Sequence, residues 1–146
     1  MTEASQAACL QRLVEFFGSL RAVDVPRLRM LYREDAFFKD PFNEVHRVDD
    51  IEGIFTRMFN DVDHPRFVIT GTVLQDKEAF LTWNFHFHLK RWRSDEQCIR
   101  GCSQIRFDDD GLVVFHRDYW DAAEELYEKL PLVGALMRWL KRRAQG

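Results

Sequence analysis

The chain is poor in the features that mark several large protein classes. It has no excess of basic residues: Lys and Arg number 21 against 24 Asp and Glu, giving a net charge of −3. Nucleic-acid binding draws on a basic stripe or a basic pI, so no nucleic-acid partner is expected. No apolar run approaches the roughly 20 residues of a membrane span. Met1 to Ala8 lacks a basic start followed by an apolar stretch, so no signal peptide is expected and a cytoplasmic location follows. There are only three cysteines, Cys9, Cys98 and Cys102. The last two fall on one strand face, and at ~3.3 Å per residue they stand about 13 Å apart, too far for a disulfide or a shared metal ion. Reduced thiols are expected. Internal repeats and linkers are also lacking, so residues 1–146 read as one domain.

What the chain does have is aromatic area. Hydrophobic residues make up 46% and Phe alone supplies 13, enough to build a core and to line a ligand cavity. Leu10, Leu13, Val14, Phe17 and Leu20 recur at helical spacing over about 4–20. Asp24 is placed to cap a second helix with Pro26 in its first turn, and Leu28, Leu31 and Tyr32 form its stripe. Ala36 to Lys39 reads as a short strand stopped by Asp40-Pro41. Asp49 and Glu52 form a capping box for a third helix whose buried face is Ile51, Ile54, Phe55, Met58 and Phe59, ending at His64-Pro65.

The period then changes from helical to alternating. Phe67, Ile69 and, after Gly71, Val73 begin one strand, which turns at Asp76-Lys77-Glu78. Leu81, Trp83, Phe85, Phe87 and Leu89 alternate with polar residues over nine positions, the clearest strand pattern in the chain. Arg93 to Gln97 forms a turn. Cys98 to Phe107 is a third long strand, and Asp108-Asp109-Asp110-Gly111 a hairpin turn into the strand 112–120. Residues 122–130 and 132–143 return to helical character, broken at Leu130-Pro131.

Helix, helix, a strand ending in Asp-Pro, helix and an antiparallel meander resemble the ketosteroid isomerase and nuclear-transport-factor-2-like superfamily, which includes the SnoaL-like polyketide cyclases. The resemblance rests on Met30-Leu31-Tyr32 with Asp35-Ala36, Lys39-Asp40-Pro41-Phe42, Ile105-Arg106-Phe107-Asp108 with Gly111, and Tyr119-Trp120. It covers about residues 8–121, with a helical extension at 122–143. It implies an α+β fold, cystatin-like: a cone of curved antiparallel sheet wrapped around N-terminal helices, plus a C-terminal helix. The outer sheet face would then form a homodimer contact.

In steroid isomerases of this family the acid of the Asp-Pro strand end is the general base, which implies Asp40. The oxyanion-hole positions carry Phe16 and Ser103. Phenylalanine donates no hydrogen bond and serine donates more weakly than a protonated acid, so a standard steroid isomerase is not expected. On the last strand, alternation puts Leu112, Val114, His116, Asp118 and Trp120 on one face, and the family pattern turns that face to the cavity. A histidine beside an acid can relay protons near neutral pH. Asp40, His116 and Asp118 are therefore the candidate catalytic residues. Phe16, Tyr32, Phe55, Phe59, Trp83, Phe85, Ser103 and Trp120 are the candidate cavity wall.

Each candidate has a structural alternative. Asp-Pro starts turns, and the Asp40 carboxylate could cap its own backbone. His116 and Asp118 could be a buried structural pair. His86 and His88, at i and i+2, could reach one ion but lack a third ligand, so no metal is expected. The basic residues of the last helix suit its macrodipole; a packing helix is expected there, and membrane contact is not. The reading is a cofactor-independent isomerase, cyclase or dehydratase that removes a proton next to a carbonyl of a small hydrophobic substrate. The alternative is a non-catalytic ligand-binding or protein-interaction domain of the same fold.

Overall fold

The computed structural model describes residues 1–89, 95–125 and 131–145; the side chains of 131–134 and 137 are left aside. Helix α1 spans Glu3–Gly18, entered through Thr2, whose hydroxyl accepts from the Ser5 N–H. Its buried face includes Leu10, Leu13, Phe16 and Phe17. The second helix is shorter than its pattern predicts. A 3-10 turn, Ala22–Arg27, precedes the single-turn α2, Leu28–Leu31. Asp24 lies inside that turn rather than at its cap. There it accepts from the Arg21 backbone and from the side chains of Arg21 and Arg27, and the Arg21 hydrogen bond holds its pKa below the ordinary carboxylate range.

Helix α3, Val48–Asp61, starts one residue before the expected cap. Asp49 and Glu52 therefore sit in its first turns, and both pair with Arg29 of α2 instead of capping the backbone. Acids in the first turn still complement the helix dipole. The helix gives way directly to a strand, so His64-Pro65 does not end it. Pro65 sits in that strand, at a register irregularity between Asp63 and Arg66, where the strand forms the sheet edge and the missing N–H is tolerated.

The six strands are β1 (Tyr32–Lys39), β2 (Glu44–Val45), β3 (Val62–Gln75), β4 (Glu78–Leu89), β5 (Gln97–Phe107) and β6 (Val113–Tyr119). They form one curved sheet in the order β2-β1-β6-β5-β4-β3. The β3–β6 meander is antiparallel, and β1 joins β6 in parallel. Gly111, at φ 84°, supplies the left-handed residue of the β5–β6 hairpin. Helix α4, Ala122–Glu125, and helix α5, Pro131–Gln145, follow. The expected turn at 93–97 and the helix at 122–130 lie partly outside the described residues.

Two bulges overrule simple alternation. In β3 the register shifts between Ile69 and Gly71, so Leu74 packs on the core while Val73 is exposed. In β6 it shifts opposite Arg106 and Phe107. Val113 is buried in place of Val114, and the cavity-facing series resumes at His116. The core between helices and sheet joins Leu13, Phe17, Leu28, Tyr32, Phe38, Ile51, Phe55, Leu81 and Ile105. A second cluster of Trp83, Phe87 and Ile99 fills the other end of the sheet, with Phe67, Ile69, Phe85 and Trp120 against it.

Candidate active site

Between α1, α3 and the concave sheet lies a hollow lined by Leu13, Phe17, Phe55, Phe67, Ile69, Leu81, Trp83, Ser103, Ile105, His116 and Asp118. Eight of these eleven are apolar, and the polar ones stand together. Ser103 and Asp118 are direct cross-strand partners on β5 and β6, and His116 is two residues from Asp118 on the same face. The sheet register alone therefore brings the three side chains into reach of one another.

They form a continuous chain of hydrogen bonds. Trp83 Nε1–H donates to Ser103 Oγ at 2.8 Å, and Ser103 donates to Asp118 Oδ1 at 2.5 Å. His116 Nε2 lies 2.7 Å from the same Oδ1, and His116 Nδ1 lies 2.6 Å from the Tyr32 hydroxyl. An acceptor at Nε2 requires that nitrogen to carry the hydrogen, so in the neutral ring Nδ1 accepts from Tyr32. Burial, with the Asp118 charge adding to it, pushes the Tyr32 pKa well above 10.0. The phenol thus stays a donor and fixes the ring. Phe17, Tyr32 and Phe38 box the imidazole, with centroids 5.9, 6.0 and 4.8 Å away. The assembly leaves Asp118 Oδ2 without a protein partner among the described residues.

Close packing holds the indole in place. A Cβ at Gly101, opposite Trp83 on β5, would sit 2.5 Å from Trp83 Cζ2. Only glycine lets the ring lie flat against the β5 backbone and reach Ser103.

Asp40 is arranged differently. Its Oδ1 accepts from the backbone of Phe42 (2.8 Å) and Asn43 (2.7 Å), and both its oxygens accept from Asn43 Nδ2 (3.1 Å each). This is an Asx turn locked by Pro41. Asp40 borders an open surface hollow with Lys39, Pro41, Arg117, Tyr119, Trp120 and Asp121, and Asp118 forms part of the same wall. The interior hollow and the surface hollow thus meet at Asp118, and Asp40 lines only the outer one.

Of the expected wall residues, Phe55, Trp83 and Ser103 line the interior hollow. Phe16 points to the far side of α1, under the Arg27 guanidinium, and its neighbour Phe17 takes the cavity position. Phe17 is four residues after Leu13, so the helical stripe already contained the signal. Tyr32 stands behind His116. Phe59 packs into the main core, Phe85 stacks between Phe67 and Phe87, and Trp120 meets the edge of Phe42.

His86 and His88 lie beside Glu96, at 3.1 and 3.9 Å, and Arg66 shares that carboxylate at 2.7 Å. No cluster of three or more His, Cys, Asp or Glu side chains among the described residues is arranged to hold a metal ion.

A family model described as a SnoaL-like domain matches residues 11–116 of the 146. The chain belongs to the SnoaL-like family. Its fold is that of solved members of the wider class. A protein from Catenulispora acidiphila with a ketosteroid isomerase-like fold, solved with trimethylamine, superposes with a TM-score of 0.69 at 12% identity, over 81% of this chain and 88% of that one. A putative SnoaL-like polyketide cyclase from Jannaschia sp. CCS1 gives 0.69 at 12% identity, over 84% and 89%. An LEH-like epoxide hydrolase from M. tuberculosis gives 0.65 at 12% identity, over 84% and 86%. No curated protein matches the chain. The SnoaL-like match ends at His116, two residues short of the acid that closes the hydrogen-bond chain.

The hollow is narrow. Its envelope is about 350 Å³ with the open side included, of which only about 20 Å³ admits the centre of a water molecule. That is room for about one water, and Asp118 is the only carboxylate on the wall among the described residues.

Proposed function

We propose that this SnoaL-like protein is a cofactor-independent enzyme that removes a proton next to the carbonyl of a small hydrophobic substrate, with Asp118 as the base. The observation that carries this reading is Asp118 on a largely apolar wall, its Oδ1 fixed by Ser103 and His116 and its Oδ2 without a protein partner among the described residues. A positioned carboxylate in a largely apolar site suits general-base work.

The proton moves from the substrate carbon to Oδ2, and the electron pair of the C–H bond becomes the enolate. Trp83, Ser103 and Tyr32 each donate their hydrogen to a protein acceptor. The enolate oxygen therefore needs one donor released. Once Asp118 is protonated it is a poorer acceptor, and the Ser103 hydroxyl can rotate from it to the enolate. Return of the proton from Asp118 to another carbon completes an isomerisation; attack by the enolate carbon on a second carbonyl of the substrate, whose oxygen then takes the proton from Asp118, completes a cyclisation. Asp40 takes no part in these steps.

The test is solvent isotope exchange. The protein is mixed in deuterated buffer with a panel of small enolisable ketones and β-keto esters, and loss of the α-proton signal is followed by NMR. Protein-dependent exchange that disappears in Asp118→Asn supports the reading; exchange undiminished in that variant removes Asp118 as the base.

A second reading, non-catalytic binding of a small apolar ligand, is favoured by the largely apolar lining of the hollow. It predicts saturable binding of panel members with no exchange above the buffer rate.

A further inference from the structure

Helix α5 has a composition unlike the rest of the chain. Pro131–Gln145 contains Arg138, Lys141, Arg142 and Arg143 and no acid. The whole chain carries −3, so with these four cations set apart the remainder carries −7. Three large apolar side chains described on the helix are not put away in the core either. Leu136, Trp139 and Leu140 are 54, 48 and 46% exposed, where a packing helix was expected. Leu136, Trp139, Leu140 and Arg143 recur at spacings of three and four and so share one side, and the Arg143 guanidinium sits 5.5 Å over the Trp139 ring. Arg138, Lys141 and Arg142 occupy the remaining arc.

We propose that α5 is a docking helix for an anionic lipid surface, lying in the plane of the membrane. An apolar strip with Trp and Leu, flanked by cations alone, is the pattern that partitions into the headgroup boundary. At 15 residues the helix is too short to cross a bilayer, and no described helix qualifies as a span. A second copy of α5 is a poor occupant of the same face. A two-fold contact would bring eight cations together with no acid on either helix to offset them. Lipid headgroups offer negative charge, which the helix sequence itself lacks, and the acidic remainder of the protein is held off the surface, which orients the domain with α5 towards the membrane.

The test uses the full chain and sedimentation with vesicles. Pure phosphatidylcholine is compared with phosphatidylcholine containing phosphatidylglycerol. Each cation near an anionic surface contributes about a fivefold gain in partitioning. The doubly reversed variant Arg142→Glu/Arg143→Glu should therefore lose at least about 25-fold in binding to the anionic vesicles. Arg142→Lys/Arg143→Lys should bind as the parent does, which separates charge from any effect on folding. The parent should show a blue shift of tryptophan emission on anionic vesicles that Trp139→Phe abolishes. Absence of binding, equal binding to neutral vesicles, undiminished binding of the reversed variant, or a shift that survives Trp139→Phe would each overturn the proposal.

Discussion

Asp40 and Asp118 close neighbouring strands and border the same surface hollow, yet they differ in what their oxygens have left to give. Asp40 accepts four hydrogen bonds from the two residues that complete its own turn. Asp118 accepts two through one oxygen, both from side chains of the sheet interior, and its other oxygen has no protein partner among the described residues. A carboxylate whose lone pairs are committed to rigid backbone donors serves structure. A carboxylate held by one oxygen is oriented and still available. The same residue type at two strand ends is thus held in two different ways, set by its partners.

The comparison can be strained from the interior side first, where the effects are largest. His116→Ala removes a side chain that is 3% exposed and leaves both the Tyr32 hydroxyl and Asp118 short of a partner. Unsatisfied buried groups and the new cavity together should destabilise the fold by about 3 kcal/mol or more, read as a drop in the denaturant midpoint. Gly101→Ala forces a methyl group onto the Trp83 indole. Overpacking of this kind costs about 1–3 kcal/mol, and the displaced indole should lose its bond to Ser103, visible as an upfield shift of its N–H resonance.

On the turn side, Asp40→Ala should destabilise by about 1 kcal/mol, as removal of a capping carboxylate does, and leave the interior resonances of His116 and Trp83 unchanged. A matching change there would mean that the two acids are coupled after all.

Tyr32→Phe should cost about 1 kcal/mol at neutral pH, similar to Asp40→Ala, for one lost buried hydrogen bond. It carries a pH signature. The folded Tyr32 pKa is raised above the 10.0 of the unfolded chain by burial first and by the Asp118 charge second. The resulting stability is fully present below pH 10.0 and is lost as pH rises towards the folded pKa. Unfolding curves from pH 9 upward should fall more steeply for the parent than for Tyr32→Phe, and equal slopes would contradict the buried-phenol account.

The parts of this molecule that could be read from residues are those governed by burial on one face. The alternation of Leu81, Trp83 and Phe87 needs only a half-buried strand, and β4 has it. The Leu13–Phe17 spacing needs only one buried helix face, and α1 has that. What stayed hidden depends on long-range partners or on single inserted residues. Asp49 and Glu52 look like a helix cap until Arg29, some twenty residues earlier, competes for them. The bulges in β3 and β6 carry no sequence mark strong enough to override alternation, so Val114 looked inward while Val113 is buried. The polar chain was half legible: His116 and Asp118 stood out at spacing two, but Trp83 and Tyr32 join it only because Gly101 clears a path for the indole and β1 pairs in parallel with β6.

Asp118, and not Asp40, is the acid proposed to serve the interior. The most direct measurement is the isotope-exchange rate of Asp118→Asn and Asp40→Asn side by side, on whichever enolisable probe the parent exchanges. The account expects Asp118→Asn to lose about a hundredfold or more and Asp40→Asn to stay within about twofold of the parent. The reverse order would place the chemistry at the outer turn and contradict the reading of the interior hollow.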